Sequence, residues 1–237
     1  MSFYAQLSRY YDEIFPASQA DLRFITQRLS GKYRLLDIGC GTGNKTELLA
    51  TGQRKIIGID SDPGMIEVAK TTRQSPNVRY WVMDMHNLLN KLCANEFDGI
   101  TCLGNTLPHL KDREAVRLFC SEAYELLRKN GLLIVQILHY EWIKSANIAQ
   151  LPLVETPTLT FRRDYVWVGG QMRFRTEITL KPGGEKLEND VVLYPLAPSE
   201  LVELLAASNF GNIQTFGSLQ GDPLLENSPL SLIIAQK

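Results

Sequence analysis

The sequence contains few residues of the kinds that build metal sites or covalent cross-links. Its 237 residues include four cysteines and three histidines. No two cysteines form a CxxC pair, and no histidine lies at zinc-finger spacing, which argues against a structural zinc site. So few cysteines in a chain of this length also argue against a disulfide framework. We therefore expect a chain without a metal and with reduced cysteines.

An excess of charge and a long apolar run are also missing. Lys and Arg total 25 and Asp and Glu total 26, so the formal net charge is -1. This balance argues against a broad phosphate-binding surface, and hence against a nucleic-acid partner. No apolar run approaches the about 20 residues that span a bilayer, and the N-terminal residues do not read as a signal peptide. We expect a cytoplasmic monomer or homodimer without membrane contact.

Short apolar runs alternate with amphipathic runs over the first 138 residues. Runs this short, rich in β-branched residues and without alternation, are typical of strands buried on both faces of a parallel sheet. Asp62-Pro63 predicts the start of a helix, and Asn130-Gly131 predicts the end of a helix that begins near Asp112. The sequence therefore predicts an α/β fold with a doubly wound, Rossmann-like sheet. The predicted strands cover residues 34–38, 55–60, 78–83, 97–103 and 132–138.

The pattern changes after Trp142. Strand-like runs with the turn signals Gly169-Gly170 and Pro182-Gly183-Gly184 predict antiparallel hairpins. A helix near residues 199–208 and strands at 213–216 and 230–235 would then complete a mostly parallel seven-stranded sheet. We expect a core of residues 1–145 and 196–237, interrupted by an antiparallel β insertion at 146–195 that acts as a substrate lid. The strand-like runs cover residues 158–161, 165–168, 172–180 and 190–194.

The most informative segment is LLDIGCGTG at residues 35–43, followed by an acidic residue, Asp60, at the end of the next strand. Glycines allow backbone to approach a ligand closely, and a strand-end carboxylate can accept both hydroxyls of a ribose. A dinucleotide site would use GxGxxG, whereas this loop reads GxGxG. Asp37 beside the loop would repel a pyrophosphate and suit an ammonium group. S-adenosylmethionine therefore fits better than NAD.

The segments LLDIGCGTG and GIDSDPGMIEVAK (residues 58–70) resemble the class I S-adenosylmethionine-dependent methyltransferases. The runs YWVMDM (80–85), FDGITCL (97–103) and LLRKNGLL (126–133) resemble later motifs of that family. The resemblance implies that the loop glycines line the methionine and ribose, with Asp37 near the amino group and Asp60 on the ribose hydroxyls. It further implies that Asp84 and the Met85 backbone contact the adenine. The implied cofactor-binding residues are Tyr11, Asp37, Gly39, Gly41, Gly43, Asp60, Ser61, Met65, Asp84, Met85 and Leu103.

The segment CLGNTLPHL (102–110) resembles the motif of small-molecule N-methyltransferases of the glycine/sarcosine type. The resemblance places Asn105 near the sulfonium, as a catalytic and substrate-binding residue, although a turn-stabilising asparagine fits the same position. His109 is a candidate general base or a structural partner. The N-terminal run SRYYDEIFP (8–16) resembles the helix from which an aromatic residue closes over the cofactor. Tyr11 is the first candidate and Tyr10 the second, and core packing is the alternative role of these side chains.

One departure from the glycine-type pattern concerns the arginine that grips the substrate carboxylate, because Leu138 occupies its place. Arg162, Arg163, Arg173 or Arg175 of the insertion could substitute, so no amino-acid substrate is carried over. We expect Asn105, Tyr140 and Arg173 to bind the acceptor.

The sequence thus predicts methyl transfer to a small-molecule acceptor, with an amine favoured. An RNA- or protein-modifying methyltransferase of the same fold, a non-catalytic S-adenosylmethionine-binding protein and an NAD-linked oxidoreductase are the alternatives. The loop spacing disfavours the last of these, and the net charge disfavours an RNA substrate.

Overall fold

The computed structural model describes residues 3–169, 171–181 and 183–237. Two predicted turn residues, Gly170 and Pro182, lie outside them. None of the helices in these residues has the length and the apolar character that a membrane span requires. The α-helices are α1 Phe3–Leu7, α2 Tyr11–Ile14, α3 Gln19–Arg28, α4 Asn44–Leu49, α5 Pro63–Thr72, α6 Arg113–Leu126, α7 Tyr140–Ser145 and α8 Pro198–Ala207. The strands are β1 Arg34–Ile38, β2 Lys55–Asp60, β3 Val78–Val82, β4 Phe97–Cys102, β5 Leu127–Leu138, β6 Val154–Glu155, β7 Leu159–Val168, β8 Gln171–Leu180, β9 Lys186–Leu193, β10 Gly211–Phe216 and β11 Leu230–Gln236.

The main sheet has seven strands in the order β10-β11-β5-β4-β1-β2-β3. Strands β1 to β5 pair in parallel, whereas β11 is antiparallel to β5 and β10 is antiparallel to β11. The direction of winding reverses between β1 and β4, and a crevice for ligands forms beyond the carboxyl ends of strands at such a point. The predicted doubly wound, mostly parallel α/β sheet is confirmed.

Helices cover both faces of this sheet because its central strands are apolar on both sides. On β1, Leu36 and Ile38 pack in one apolar cluster with α6 and α8, while Leu35 packs in the opposite cluster with α3 and α5. Asp62 caps α5, accepting hydrogen bonds from the backbone N–H groups of Gly64 and Met65. The Asp62-Pro63 helix start is therefore confirmed.

The junction of α6 and β5 differs from the sequence prediction. The helix ends at Leu126 instead of continuing to Lys129, because Leu127 already pairs with Phe97 on β4. Asn130 has the predicted left-handed conformation, with φ of 62°, but it lies in an irregularity of β5. Tertiary strand pairing thus shortens a helix that local propensity alone would extend.

A second, antiparallel sheet is formed by β6-β7-β8-β9. The predicted strands 158–161 and 165–168 are one continuous strand, β7, because both segments pair with β8 without a break. Two apolar clusters join this sheet to the core: Phe161 and Ile178 contact the N-terminal helices and Met65, while Tyr165 and Leu193 pack against Tyr140 on α7. The antiparallel insertion is present, and its role as a lid stays a prediction.

Candidate functional site

A cavity of about 520 Å³ lies at the carboxyl edge of the parallel strands, between the N-terminal helices and the antiparallel sheet. Residues of the glycine loop line one end, and residues of β7, β8 and β9 line the other. From the core, the lining side chains and backbone include Gly39, Gly41, Lys45, Asp60, Ser61, Met65, Met83, Asp84, Met85, Asn105, His109 and Gln136. From the N-terminal helices and the insertion they include Phe3, Tyr4, Leu7, Tyr11, Phe15, Leu151, Phe161, Arg163, Phe174, Thr176 and Asn189.

The glycine loop begins directly after β1 and ends at α4. Gly39 and Gly41 line the cavity, with φ angles of 68° and 56°. A Cβ on Gly39 would lie 2.4 Å from Thr106 Cγ2, so a larger residue cannot occupy this position without displacement. Gly43 lies behind the loop instead, where a Cβ would lie 2.5 Å from the hydroxyl of Tyr80. The structure thus brings two of the three predicted glycines to the cavity.

Asp60 ends β2 and faces the glycine loop. Its carboxylate accepts hydrogen bonds from the backbone N–H of Gly41 at 3.0 Å and of Asp62 at 2.9 Å. Burial raises the pKa of Asp60 above its usual value, and these backbone donors offset part of the rise. An ionised carboxylate has about four acceptor sites, so Asp60 retains capacity for hydroxyl groups of a ligand.

Asp37 lies beneath the loop, 3 % exposed. Its two oxygens accept hydrogen bonds from Thr46 Oγ1 at 2.5 Å and Thr101 Oγ1 at 2.6 Å. Burial raises the pKa of Asp37, while these hydroxyls and the nearby Lys45 oppose the rise. Asp37 and Leu103 line a side recess of about 10 Å³, which is close to the space that one water requires.

The predicted adenosine residues Ser61, Met65, Asp84 and Met85 all line the cavity. Asp84 accepts hydrogen bonds from the backbone and ring N–H groups of His86. Burial works against ionisation of Asp84, but its hydrogen bonds to His86 outweigh this effect and lower its pKa. This part of the cavity therefore combines apolar thioether surface with a charged strand-end carboxylate.

Aromatic side chains of α1 and α2 form the N-terminal wall of the cavity. The ring of the predicted residue Tyr11 lies over the glycine loop, 3.4 Å from where a Cβ on Gly41 would stand, and it contacts Phe15 with a centroid distance of 5.0 Å. Desolvation raises the pKa of Tyr11, and the charge of Asp60 adds to the rise. Tyr11 therefore presents a neutral aromatic ring to the cavity.

Asn105 lines the cavity and also fastens the loop after β4 to β5. Its φ of 63° is left-handed, its Oδ1 accepts from the backbone N–H of Leu138 at 2.9 Å, and its Nδ2 donates to the hydroxyl of Tyr140 at 2.7 Å. Asn105 is thus a turn-forming asparagine at the cavity wall, and its predicted contact with the sulfonium and the acceptor stays a prediction. Tyr140 is 2 % exposed and is not among the lining residues, so the structure does not bring it to the cavity.

His109 follows the same loop, in the short 3₁₀ helix Leu107–His109, and lines the cavity. Its ring contacts that of Tyr4 edge-on, with a centroid distance of 6.2 Å. Desolvation lowers the pKa of His109 below the usual value of 6.5, so the imidazole is neutral at pH 7. The geometry keeps both sequence-derived roles of His109 open, that of a proton acceptor and that of a structural partner.

The arginines of the insertion lie on opposite faces of its sheet. Arg173, the predicted acceptor-binding residue, has a side chain that is 43 % exposed and pairs with Asp190 at 3.0 Å outside the cavity. Arg163 instead lines the cavity. Of the arginines considered from the sequence, the structure therefore brings Arg163 and not Arg173 to the site.

Sequence reasoning missed several lining residues, among them the polar side chains of Lys45, Thr176 and Asn189. Burial lowers the pKa of Lys45, and the attraction of Asp37 offsets part of this effect. The sequence does carry a signal for a polar feature on the cavity side of the insertion. Arg163 interrupts the alternating apolar series Leu159, Phe161 and Tyr165. A charged residue in such a series indicates a polar feature on an otherwise apolar face.

The residues at the loop end of the cavity fit S-adenosylmethionine. Two carboxylates, Asp60 and Asp84, stand at the ends of neighbouring strands and suit ribose hydroxyls and an adenine amino group. Met65 and Met83 offer apolar surface for a flat ring, and Lys45 offers a cation for a carboxylate.

Comparison with known proteins agrees with this geometry. Residues 35–131 match the family described as "Methyltransferase domain". A glycine N-methyltransferase of Mus musculus is 29% identical over 134 residues, which cover 52% of this chain and 46% of the relative. A glycine/sarcosine N-methyltransferase of Parasynechococcus marenigrum is 26% identical over 214 residues, covering 87% of this chain and 72% of the relative. The crystal structure of an S-adenosylmethionine-dependent methyltransferase from Clostridium acetobutylicum superposes with a TM-score of 0.82 at 16% identity, covering 99% of both chains.

The chain spans about half the length of the mammalian relatives that it matches. The matched segment nevertheless includes β1, the glycine loop, Asp60 and Asp84, which together form the loop end of the cavity. Residues 35–131 therefore match a methyltransferase domain, the chain has the fold of an S-adenosylmethionine-dependent methyltransferase, and the loop end of its cavity fits S-adenosylmethionine as the cofactor.

Proposed function

We propose that this chain transfers a methyl group from S-adenosylmethionine to the nitrogen of a small-molecule amine. One observation carries the proposal: a single cavity joins the glycine loop and Asp60 to a chamber walled by Tyr4, Phe161 and Phe174. A cofactor held at the loop end would therefore direct its methyl group into a partly enclosed space of small-molecule size.

When bound, S-adenosylmethionine supplies a methyl group that its positively charged sulfur activates. A nucleophile attacks the methyl carbon in line with the sulfur, which leaves as the thioether. The chain's own task is to hold the two reactants in register and to exclude water, and orientation alone contributes ~7–11 kcal/mol to such reactions. Asp60 would hold the ribose hydroxyls, Asp84 the adenine amino group and Lys45 the methionyl carboxylate. Asp37 and the backbone at Leu103 would receive the amino group, directly or through a water in the side recess.

The acceptor end of the cavity supports an amine. A neutral amine needs no base in the transfer step, whereas a hydroxyl usually needs one. Among the lining residues that the structure describes, His109 stands on this side with a lowered pKa, so its neutral imidazole would offer a hydrogen-bond acceptor to the amine without repelling it. Asn105, tied to Leu138 and Tyr140, would orient the acceptor from the wall.

The known relatives favour the same reaction class, since both that are described above are named as N-methyltransferases acting on glycine or sarcosine. The antiparallel sheet would serve as a lid, with Phe161 and Phe174 closing the chamber from the insertion side. A nucleic-acid or protein acceptor would have to reach the same partly enclosed chamber, and the net charge of -1 offers an RNA no broad basic surface.

The test is a methyl-transfer screen with isotopically labelled S-adenosylmethionine over amines, hydroxyl compounds, carboxylates, tRNA and a protein extract. We expect labelled product from the amine pool, and label confined to tRNA or protein would replace this proposal with macromolecular methylation. Calorimetric titration with S-adenosylmethionine, S-adenosylhomocysteine and NAD accompanies the screen. Binding of the first two without turnover of any pool would identify a non-catalytic binding protein.

A further inference from the structure

The cavity-facing side of the antiparallel sheet carries a polar row between two apolar rows. Arg163 on β7 lies directly opposite Thr176 on β8, which lies opposite Asn189 on β9. All three residues line the cavity. The pairs on either side of this row are hydrophobic or aromatic, Phe161 with Ile178 and Tyr165 with Phe174, and the buried Tyr165 hydroxyl has no hydrogen-bond partner among the described residues.

The polar row is incompletely satisfied within the described part of the chain. Arg163 Nη2 donates to the carbonyl of Pro152 at 2.8 Å, which holds the guanidinium in place. Arg163 Nε and Thr176 Oγ1 are buried and have no hydrogen-bond partner among the described residues. Buried polar groups are nearly always hydrogen-bonded, so two orphaned groups that share one register position indicate an absent partner.

On the opposite face of the same sheet, three arginines have carboxylate partners. There, Arg162 pairs with Asp164 at 2.9 Å, and Arg173 and Arg175 pair with Asp190 at 3.0 and 3.1 Å. Arg163 has no carboxylate partner among the residues that the structure describes, and desolvation lowers the pKa of its guanidinium without discharging it. Its positive charge therefore stands uncompensated at the wall of the cavity.

Among the described lining residues, a cation stands at each end of the cavity, Lys45 at the glycine loop, where Asp37 attracts it, and Arg163 at the insertion. This step rests on the proposed function, in which the carboxylate of the cofactor binds Lys45 at the loop end. The remaining cation faces the acceptor. We propose that Arg163, Thr176 and Asn189 form a subsite for an anionic oxygen group of the methyl acceptor, a carboxylate or a phosphate, so that the substrate is an amine that also carries an acid.

The residues suit this task chemically. A guanidinium presents paired N–H donors that match the oxygens of a carboxylate or phosphate, and such charge-assisted bonds are about twice as strong as neutral ones. The free Nε of Arg163 and the hydroxyl of Thr176 supply donors to one oxyanion, and the Asn189 amide adds a third polar group to the row. The flanking Phe161 ring, 5.4 Å from the guanidinium carbon, shields this pairing from water.

The test compares Arg163→Gln with Arg162→Gln, its neighbour on the outward face of the same strand. Binding of matched probes is measured by titration, with and without S-adenosylhomocysteine: glycine against glycinamide, and O-phosphoethanolamine against ethanolamine. We expect the wild-type chain to bind an acidic member at least about tenfold more tightly than its neutral partner. Arg163→Gln should abolish that preference, Thr176→Val should reduce it, and Arg162→Gln should leave it unchanged.

The two pairs separate a carboxylate from a phosphate ligand. The assignment is overturned if neither acidic probe is preferred, or if Arg163→Gln retains the preference while thermal melting shows it folded. If Arg163→Gln melts far below wild type, the Thr176→Val variant, which conserves side-chain shape, becomes the test. An unchanged preference of that variant for the acidic probes overturns the assignment. These titrations measure binding and do not depend on turnover. Absence of methyl transfer would therefore refute the proposed function alone, and only the titrations test the anion subsite.

Discussion

The carboxylate of Asp60 accepts a hydrogen bond from the backbone N–H of Gly41 at 3.0 Å, which ties the end of β2 to the glycine loop after β1. The same carboxylate lines the cavity, so one side chain ties the loop and also carries the proposed contact with the ribose. Substitutions at Asp60, Gly39, Lys45 and His109 therefore test separate contributions to cofactor binding.

Asp60→Ala should weaken S-adenosylmethionine binding by about 10- to 100-fold, because hydrogen bonds to a charged group contribute ~1.5–3 kcal/mol. Isothermal titration calorimetry gives the dissociation constant. Glu67→Gln, on the exposed side of α5, is the matched control and should bind as wild type. An Asp60→Ala chain that is folded and binds the cofactor normally would refute the ribose assignment.

Gly39→Ala should lose both stability and cofactor affinity. The residue has a φ of 68°, which costs an L-residue ~1–2 kcal/mol, and its new Cβ would meet Thr106 at 2.4 Å. Gly52→Ala is the control, since Gly52 has a φ of 63° but no atom within 4 Å of an added Cβ. Urea denaturation should show a larger loss in the free energy of unfolding for Gly39→Ala, and only that variant should lose cofactor binding. Equal losses in the two variants would contradict a close approach at Gly39.

Lys45→Met should weaken cofactor binding by about tenfold if Lys45 pairs with the methionyl carboxylate. Burial lowers the pKa of Lys45, so its charge is lost at a lower pH than that of an ordinary lysine. Affinity should therefore decline as pH rises toward this lowered pKa. Lys45→Arg should hold its affinity to higher pH, because a guanidinium stays charged. Identical pH profiles for wild type and Lys45→Arg would exclude this pairing, and Lys70→Met on exposed α5 serves as control.

Acidification should weaken S-adenosylmethionine binding through His109. The pKa of His109 lies below 6.5, so the imidazole is neutral at pH 7 and gains a positive charge only as pH falls through that lowered value. A protonated ring in the cavity would repel the sulfonium. We expect wild type and His109→Gln to bind alike at pH 7.5 and to diverge at acid pH, with wild type the weaker. S-adenosylhomocysteine, which lacks the sulfonium charge, should show a smaller divergence, and an equal one for both ligands would contradict the repulsion.

Local sequence determined the cofactor end of the site to a large extent. Glycines between an apolar strand and a helix, with an acidic residue closing the next strand, predicted β1, β2 and a loop at the cavity. This succeeds because backbone conformation and parallel pairing impose residue types directly: only glycine tolerates the close approach at Gly39, and neighbouring strand ends must share one edge.

The acceptor end required the tertiary structure. Arg162, Arg163, Arg173 and Arg175 are equivalent as residue types, and their difference comes from strand register, which turns Arg163 toward the cavity and pairs Arg173 and Arg175 with Asp190 outside it. A shift of one residue would exchange the two faces, so no composition or motif can substitute for the pairing itself. Gly43 and Tyr140 show the same limit, since Gly43 lies against Tyr80 and Tyr140 packs against Tyr165 and Leu193 of the insertion, outside the cavity lining. The fold class and the fit to S-adenosylmethionine were predictable from local patterns of the chain, because both follow from backbone requirements. The polar side chains at the insertion end of the cavity were not predictable in this way, because their facing depends on the register between strands distant along the chain.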